Sequence, residues 1–227
     1  MLKGMPPSES PDWTLVVPVK TLVAAKTRLS EAAGPHRAAL AVAIACDTVE
    51  AALSCGPVAR VVVVTGDPVA AEALAGVGAR VVGDPEAGLN AALRHGAGEA
   101  VRLAPGDAVG ALQADLPALR PAELALVLAA AAEFDQSFLP DAAEVGTTFY
   151  GTRPGVPFTP GFGGASRDRH LRRGAKELCL AGADSVRRDV DTPDDLRAAL
   201  ALGTGPRTRA VARLIGVRSP EPGPPGD

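Results

Sequence analysis

The chain of 227 residues carries 47% hydrophobic and 22% charged side chains, enough for one large or two small domains with a proper core, and this excludes disorder of the whole chain. Its 23 basic and 26 acidic residues sum to −3 and only 3% of residues are aromatic, so it has neither a basic surplus for a phosphate backbone nor a stacking platform for bases, and nucleic acid is not an expected partner. The longest apolar run, Leu124 to Ala132, spans nine residues, half of a bilayer crossing, and the opening MLKGMPPSESPDW has Pro and acids where a signal peptide needs an apolar core; a cytoplasmic protein without a membrane partner is expected.

In chain order, short β-branched runs alternate with alanine-rich helical stretches, the pattern of a mostly parallel, mixed α/β sheet with helices on both faces. The first strand is predicted at Leu15 to Val19 and a helix from His36 to Leu53. A continuous valine run over Arg60 to Thr65 reads as a central strand buried on both faces. Asp67-Pro68 supplies an N-cap and a first-turn proline for a short helix. Then come a strand at Arg80 to Val82, a helix from Leu89 to Leu103, a strand from Ala108 to Gln113 and a helix opened by Pro121. Beyond it, Ser137 to Leu139 and Thr147 to Tyr150 are predicted as strands that include an antiparallel pair, followed by a helix from Asp168 to Gly174 and a strand from Ser185 to Val190. Thr192-Pro193-Asp194-Asp195 reads as the capping start of a further helix. A single Rossmann-like domain is expected over residues 13–216, with the Pro/Gly-rich ends, 1–12 and 217–227, as disordered tails. Cys46, Cys55 and Cys179 form no C-x-x-C pair and are expected to be buried free thiols.

Four polar clusters fall at strand ends or just after them, where ligands bind in open α/β sheets. Lys20, Lys26, Thr27 and Arg28 follow the first strand, and fixed cations there suit a polyphosphate; each lysine stands out because the chain has only four against nineteen arginines. A Walker loop is excluded, since that motif needs glycine where this chain has Lys20 and Ala25, and a lysine preceded by glycine. Gly88-Leu89-Asn90 opens a helix, whose N-terminal amides attract anions and whose Asn can donate to and accept from a base edge or a sugar. Asp115 ends an apolar strand, and alternation in Arg188-Asp189-Val190-Asp191 sets Asp189 and Asp191 on one side. If the three carboxylates converge, their oxygens and a substrate's phosphates are what Mg²⁺ prefers, although Asp191 could instead cap the following helix. A fifth segment, Gly161 to Ser166 with His170 beyond it, could hold a small anion by backbone amides and a hydroxyl. Asp141 and Glu144 suggest nothing beyond solvation, and His36 and His95 read as surface residues.

Taken together and in order, P-V-K…A-K-T-R-L, G-L-N-x-A-L, Q-A-D-L-P, G-T-T, F-G-x-x-S…H and D-V-D-T-P-x-D-L resemble the guanylyltransferases that make the phospholactyl or enolpyruvyl donor of deazaflavin coenzyme F-420, over nearly the whole chain. The resemblance implies a nucleotidyltransferase fold and transfer of GMP from GTP to phosphoenolpyruvate or 2-phospho-L-lactate, with Mg²⁺. It implies phosphate binding by Lys20, Lys26 and Arg28, nucleotide binding by Leu89 and Asn90, and metal binding by Asp115, Asp189 and Asp191. Thr148, Gly163 and Ser166 match residues that hold the phosphorylated three-carbon acid. Gly164 stands where the family tends to have Pro, which predicts a more mobile loop. A related enzyme for molybdopterin or a sugar phosphate would carry a glycine-rich loop after the first strand, but no glycine precedes Gly34 there. A non-catalytic nucleotide-binding module would not need all three acids. A homodimer is the default expectation for such a chain.

Overall fold

The computed structural model describes residues 11–20, 29 and 33–218. Lys26, Thr27 and Arg28, and most of both terminal segments, lie outside the described residues. The strands are β1 (Trp13–Pro18), β2 (Val58–Val64), β3 (Arg80–Val82), β4 (Ala108–Leu112), β5 (Gln136–Pro140), β6 (Thr147–Thr152) and β7 (Lys176–Glu177). The helices are α1 (Arg37–Leu53), entered through a 3₁₀ turn at Gly34–His36, α2 (Pro68–Gly76), α3 (Leu89–Leu103), α4 (Pro121–Ala131), α5 (Ser166–Arg172), α6 (Asp184–Arg187), α7 (Pro193–Leu202) and α8 (Pro206–Leu214). Among the described residues no helix is long and apolar enough to cross a membrane.

One seven-stranded sheet runs in the order β3-β2-β1-β4-β6-β5-β7. β3, β2, β1 and β4 are mutually parallel, while β6 lies antiparallel between β4 and β5. β1 has β2 on one side and β4 on the other, so the chain reverses its direction of winding there, and in open α/β sheets the carboxyl ends of the strands at such a point are where ligands bind.

Alternation along β1 divides the core. Leu15 and Val17 pack with Val49 of α1, Leu74 of α2 and Leu124 and Leu128 of α4 on one face. Val16 points the other way, with Leu93 and Ala97 of α3. Gly96 lets α3 lie against the sheet, because a Cβ there would stand 2.7 Å from Val64 Cγ2 and collide with Val16. A third cluster joins the outer side of α1 (Leu40, Ile44) to Leu196 of α7, to Val190 and to Val217.

The two caps read from sequence form as expected. The Asp67 carboxylate accepts from the Val69 and Ala70 N–H groups at 3.0 and 3.1 Å. Thr192 and Asp195 make a reciprocal capping box at the start of α7.

Two expectations fail. The segment from Ser185 to Val190 is not a strand: α6 occupies Asp184–Arg187, because Ser185 donates its N–H to Glu123 (2.8 Å) and its hydroxyl accepts from the Arg120 N–H (3.0 Å), which ties it to α4. Only the stretch after Arg187 is extended. Cys46 and Cys55 are buried free thiols, with burial pushing Cys55 up to about 11, but Cys179 is exposed in the loop after the edge strand β7.

Candidate active site

One backbone hydrogen bond joins the two segments that carry the candidate acids. Asp115 lies three residues beyond β4, and its carbonyl accepts from the N–H of Val190 at 3.0 Å. Val190 is fully buried, so it anchors the extended stretch, and the alternation of that stretch leaves Asp189 and Asp191 flanking the anchor. Asp191 is not the helix cap that its position allowed: Thr192 and Asp195 do that work, and Asp195 also accepts from the Asp191 N–H at 3.1 Å.

Burial, followed by the charges of Asp115, Asp141 and Asp191, pushes the Asp189 carboxyl up to about 7. The charges of three further carboxylates thus bear on Asp189, and their repulsion is what a cation relieves. Asp141 is the member that sequence reading missed. It sits at the end of the β5 hairpin arm, where its carboxylate accepts from the Val145 and Gly146 N–H groups at 3.0 and 2.8 Å, and Arg187 ties that turn to the segment carrying Asp189: its carbonyl accepts from the Ala142 N–H at 2.9 Å and its Nη2 donates to the Asp141 carbonyl at 3.0 Å. Hard oxygen donors suit Mg²⁺ in kind. Among the described residues, however, no three such side chains are gathered closely enough to ligate an ion by themselves, so a metal here would take its remaining ligands from substrate phosphates and water.

The remaining site candidates lie on or beside the segment Thr159 to Ser166, held by His170 and Arg169 of α5 and by Arg173 just after it. His170 is fully buried, stacked on Tyr150 with ring centroids 4.8 Å apart and edged by Phe162. Its Nε2 accepts from the Gly161 N–H at 2.9 Å, so the neutral ring carries its proton on Nδ1 and donates to Thr147 Oγ1 at 3.1 Å. Burial and the neighbouring Arg173 and Arg169 lower the His170 pKa to about 4, which keeps the ring neutral. Arg169 Nη1 donates to the carbonyls of Gly161 and Gly163, and Arg173 Nη1 to those of Thr159 and Pro160. Asn90, at the first turn of α3, pairs with the Phe162 backbone.

Gly163 and Gly164 sit at φ +100° and +51°, in the left-handed region that glycine adopts freely, so a proline at 164 would be excluded from this backbone. In its absence the loop is tied down by the hydrogen bonds just described. Ser166 is buried, and its hydroxyl donates to Thr147 Oγ1 at 3.0 Å. The hydroxyl of Thr148 is buried and has no hydrogen-bond partner among the described residues. Lys20 is exposed just past β1, and half-buried Leu89 packs beside Phe162.

The family model described as guanylyl transferase CofC like matches residues 13–224. The chain belongs to this family. A protein of Streptosporangium roseum called phosphoenolpyruvate guanylyltransferase is 86% identical over 222 residues, covering 98% of this chain and 100% of that one. One of the same name from Thermomonospora curvata is 63% identical, with 92% of each covered. Among solved structures, a nucleotidyl transferase from Methanothermobacter superposes with a TM-score of 0.58 at 23% identity over 86% of this chain and 98% of that one. A cytidylyltransferase from Leptospira borgpetersenii gives 0.55 at 12% identity, over 91% and 94%. These structural likenesses establish the nucleotidyltransferase fold, and family membership makes the chain a guanylyltransferase by class.

Proposed function

We propose that the protein transfers GMP from GTP to phosphoenolpyruvate, releasing pyrophosphate, with Mg²⁺ held between Asp115, Asp189, Asp191 and the phosphates. The observation that carries the reading is the combination of half-buried Asp189, raised by neighbouring acids whose repulsion a cation would relieve, with the hydroxyls of Ser166 at the end of a clamped loop and of Thr148 on β6, which suit a small anion. The name shared by the Streptosporangium and Thermomonospora relatives supports phosphoenolpyruvate over 2-phospho-L-lactate.

In this reading Leu89 and Asn90 place the nucleotide against the first turn of α3, and Lys20, with Lys26 and Arg28 outside the described residues, offsets the charge of its phosphates. A phosphate oxygen of the acid forms a bond to the α-phosphorus of GTP in line with the bond to the bridging oxygen of the β-phosphate. That second bond breaks, its electron pair leaves with pyrophosphate, and the acid and GMP are joined as a diphosphate. No general base is needed, because a phosphate monoester with a second pKa of about 6 is already largely dianionic at neutral pH. A bound Mg²⁺ supplies charge neutralisation on the reacting phosphates.

Ser166 donates to Thr147 in the structure, yet Thr147 Oγ1 also accepts from His170. Rotation of the two hydroxyls lets Thr147 donate back to Ser166 and frees the serine hydrogen for the acceptor. The reading is tested by measuring pyrophosphate release from GTP, ATP and CTP with Mg²⁺ against phosphoenolpyruvate, 2-phospho-L-lactate and 3-phosphoglycerate. Release with GTP and phosphoenolpyruvate is expected; release with 2-phospho-L-lactate alone reassigns the acceptor, and silence in every combination overturns the reaction.

A further inference from the structure

Asn90 and Phe162 make a reciprocal pair across 72 residues of chain: Asn90 Nδ2 donates to the Phe162 carbonyl at 3.0 Å, and Asn90 Oδ1 accepts from the Phe162 N–H at 2.8 Å. A primary amide has two donors and two acceptor lone pairs, so this pair uses half of its capacity and leaves one N–H and one lone pair for a ligand. The other side-chain bonds to the loop come from His170 and Arg169 of α5, from Arg173 just beyond it, and from Thr147 and Tyr150 of β6. Asn90 reaches it from α3, a separate element 72 residues earlier in the chain, and its neighbour Leu89 packs in the same apolar cluster as Phe162.

We propose that Asn90 is a positioning residue that sets the acceptor loop from the helix that receives the nucleotide, so that filling either subsite strengthens binding at the other. The coupling rests on the reading above, which places the nucleotide at the α3 N-terminus and the phosphoacid at Gly163 and Ser166. A nucleotide that fixes Asn90 fixes Phe162 by two hydrogen bonds, and Phe162 immediately precedes Gly163. By linkage the effect is reciprocal: an acceptor that orders the loop holds Asn90 in place for the nucleotide by the same factor. An aspartate in this place would accept from the Phe162 N–H but would set an oxygen against the Phe162 carbonyl, so only the amide serves both groups at once.

The test compares the wild type with Asn90→Ala, and with Asn90→Asp should the alanine variant lose its cooperative melt. Amide hydrogen exchange at Phe162 reads the clamp without reference to activity: the alanine variant is expected to exchange there about tenfold or more faster, with Gly161, held by His170, much less affected. Phosphoenolpyruvate binding is then measured with and without a GTP analogue carrying methylene between the α- and β-phosphorus. In the wild type the analogue is expected to tighten acceptor binding by roughly tenfold, and in Asn90→Ala that ratio falls to about 1. A ratio unchanged in the variant, or a weakening confined to the nucleotide, overturns the coupling. Unchanged exchange at Phe162 overturns the clamp. If neither phosphoacid supports pyrophosphate release from GTP, the reading of function fails and the coupling with it, while exchange at Phe162 still decides whether Asn90 holds the loop.

Discussion

Asp189 shows how a single side chain is placed at the cost of stability. It is half-buried among Asp115, Asp141 and Asp191 and has its carboxyl pushed up to about 7, so its charged form is disfavoured by burial and by its neighbours. Asp189→Asn is expected to raise the melting temperature of the metal-free protein by a few degrees, because it removes that repulsion, and to lower turnover by about 100-fold or more, because in the proposed reading it removes an anionic oxygen donor to the metal. Calorimetry and pyrophosphate release on the same preparation check both signs; a lower melting temperature with unchanged turnover would count against the acid cluster as a metal site. His170 works in the opposite sense. Its pKa is lowered from 6.5 to about 4, so the unfolded chain binds a proton more readily than the native one between those values. Its contribution to stability is complete above pH 6.5, falls as pH drops through that window, and is gone below about 4. Comparing unfolding free energies of wild type and His170→Gln across the window isolates the term, which is on the order of 3 kcal/mol. Parallel pH profiles for the two proteins would show that the ring is not held neutral.

At the scale of elements, local signals served best where an element supplies its own ends. Asp67-Pro68 and Thr192-Pro193 were legible because each cap lies within three residues of the N–H groups it satisfies. The start of α8 was illegible for the opposite reason. Its cap is Asp47 of α1, whose carboxylate accepts from the N–H of Thr208 at 2.7 Å and of Arg207 at 3.3 Å, from a position 161 residues before Thr208. The Asp47 side chain is only 1% exposed, so its removal leaves buried donors without a partner. Asp47→Ala is expected to cost about 3 kcal/mol, measured by urea unfolding, with α8 exchanging its amides faster than α3. The misread strand at Ser185 to Val190 has the same origin: its β-like residues lost to contacts with Glu123 and Arg120 on a different helix.

For the whole molecule, the position of the site follows from strand order. The parallel half contributes the ends of β1 and β4, the antiparallel half contributes β6 and the hairpin that carries Asp141, and the proposed reading sets the ligands across the two. A ligand that binds only this assembled form stabilises all of it by mass action. GTP with Mg²⁺ at 100 times its dissociation constant is expected to add about 2.7 kcal/mol, or roughly 5–10 °C in melting temperature, and Asp115→Asn to lose most of the increment. Scanning calorimetry with and without each component checks it, and a shift equal in wild type and variant would separate nucleotide binding from the acid cluster.

The sequence by itself determined the alternation of strands and helices, the valine run of the central strand and the helix caps, because period, β-branching and capping act over a few residues. It also carried six short motifs whose order marks the family, since Asp115, Asp189, Asp191 and Ser166 each sit in a string that can be read without a fold. Only the tertiary structure decided that Asp141 joins the acids, that Asn90 grips Phe162, and that His170 is a neutral ring fixing Gly161 and Thr147. Those contacts join residues distant in sequence, on α3, the antiparallel hairpin and α5. Side-chain hydrogen bonds and carboxylate repulsion act over a few ångströms of space, and no local pattern encodes which distant segments come that close.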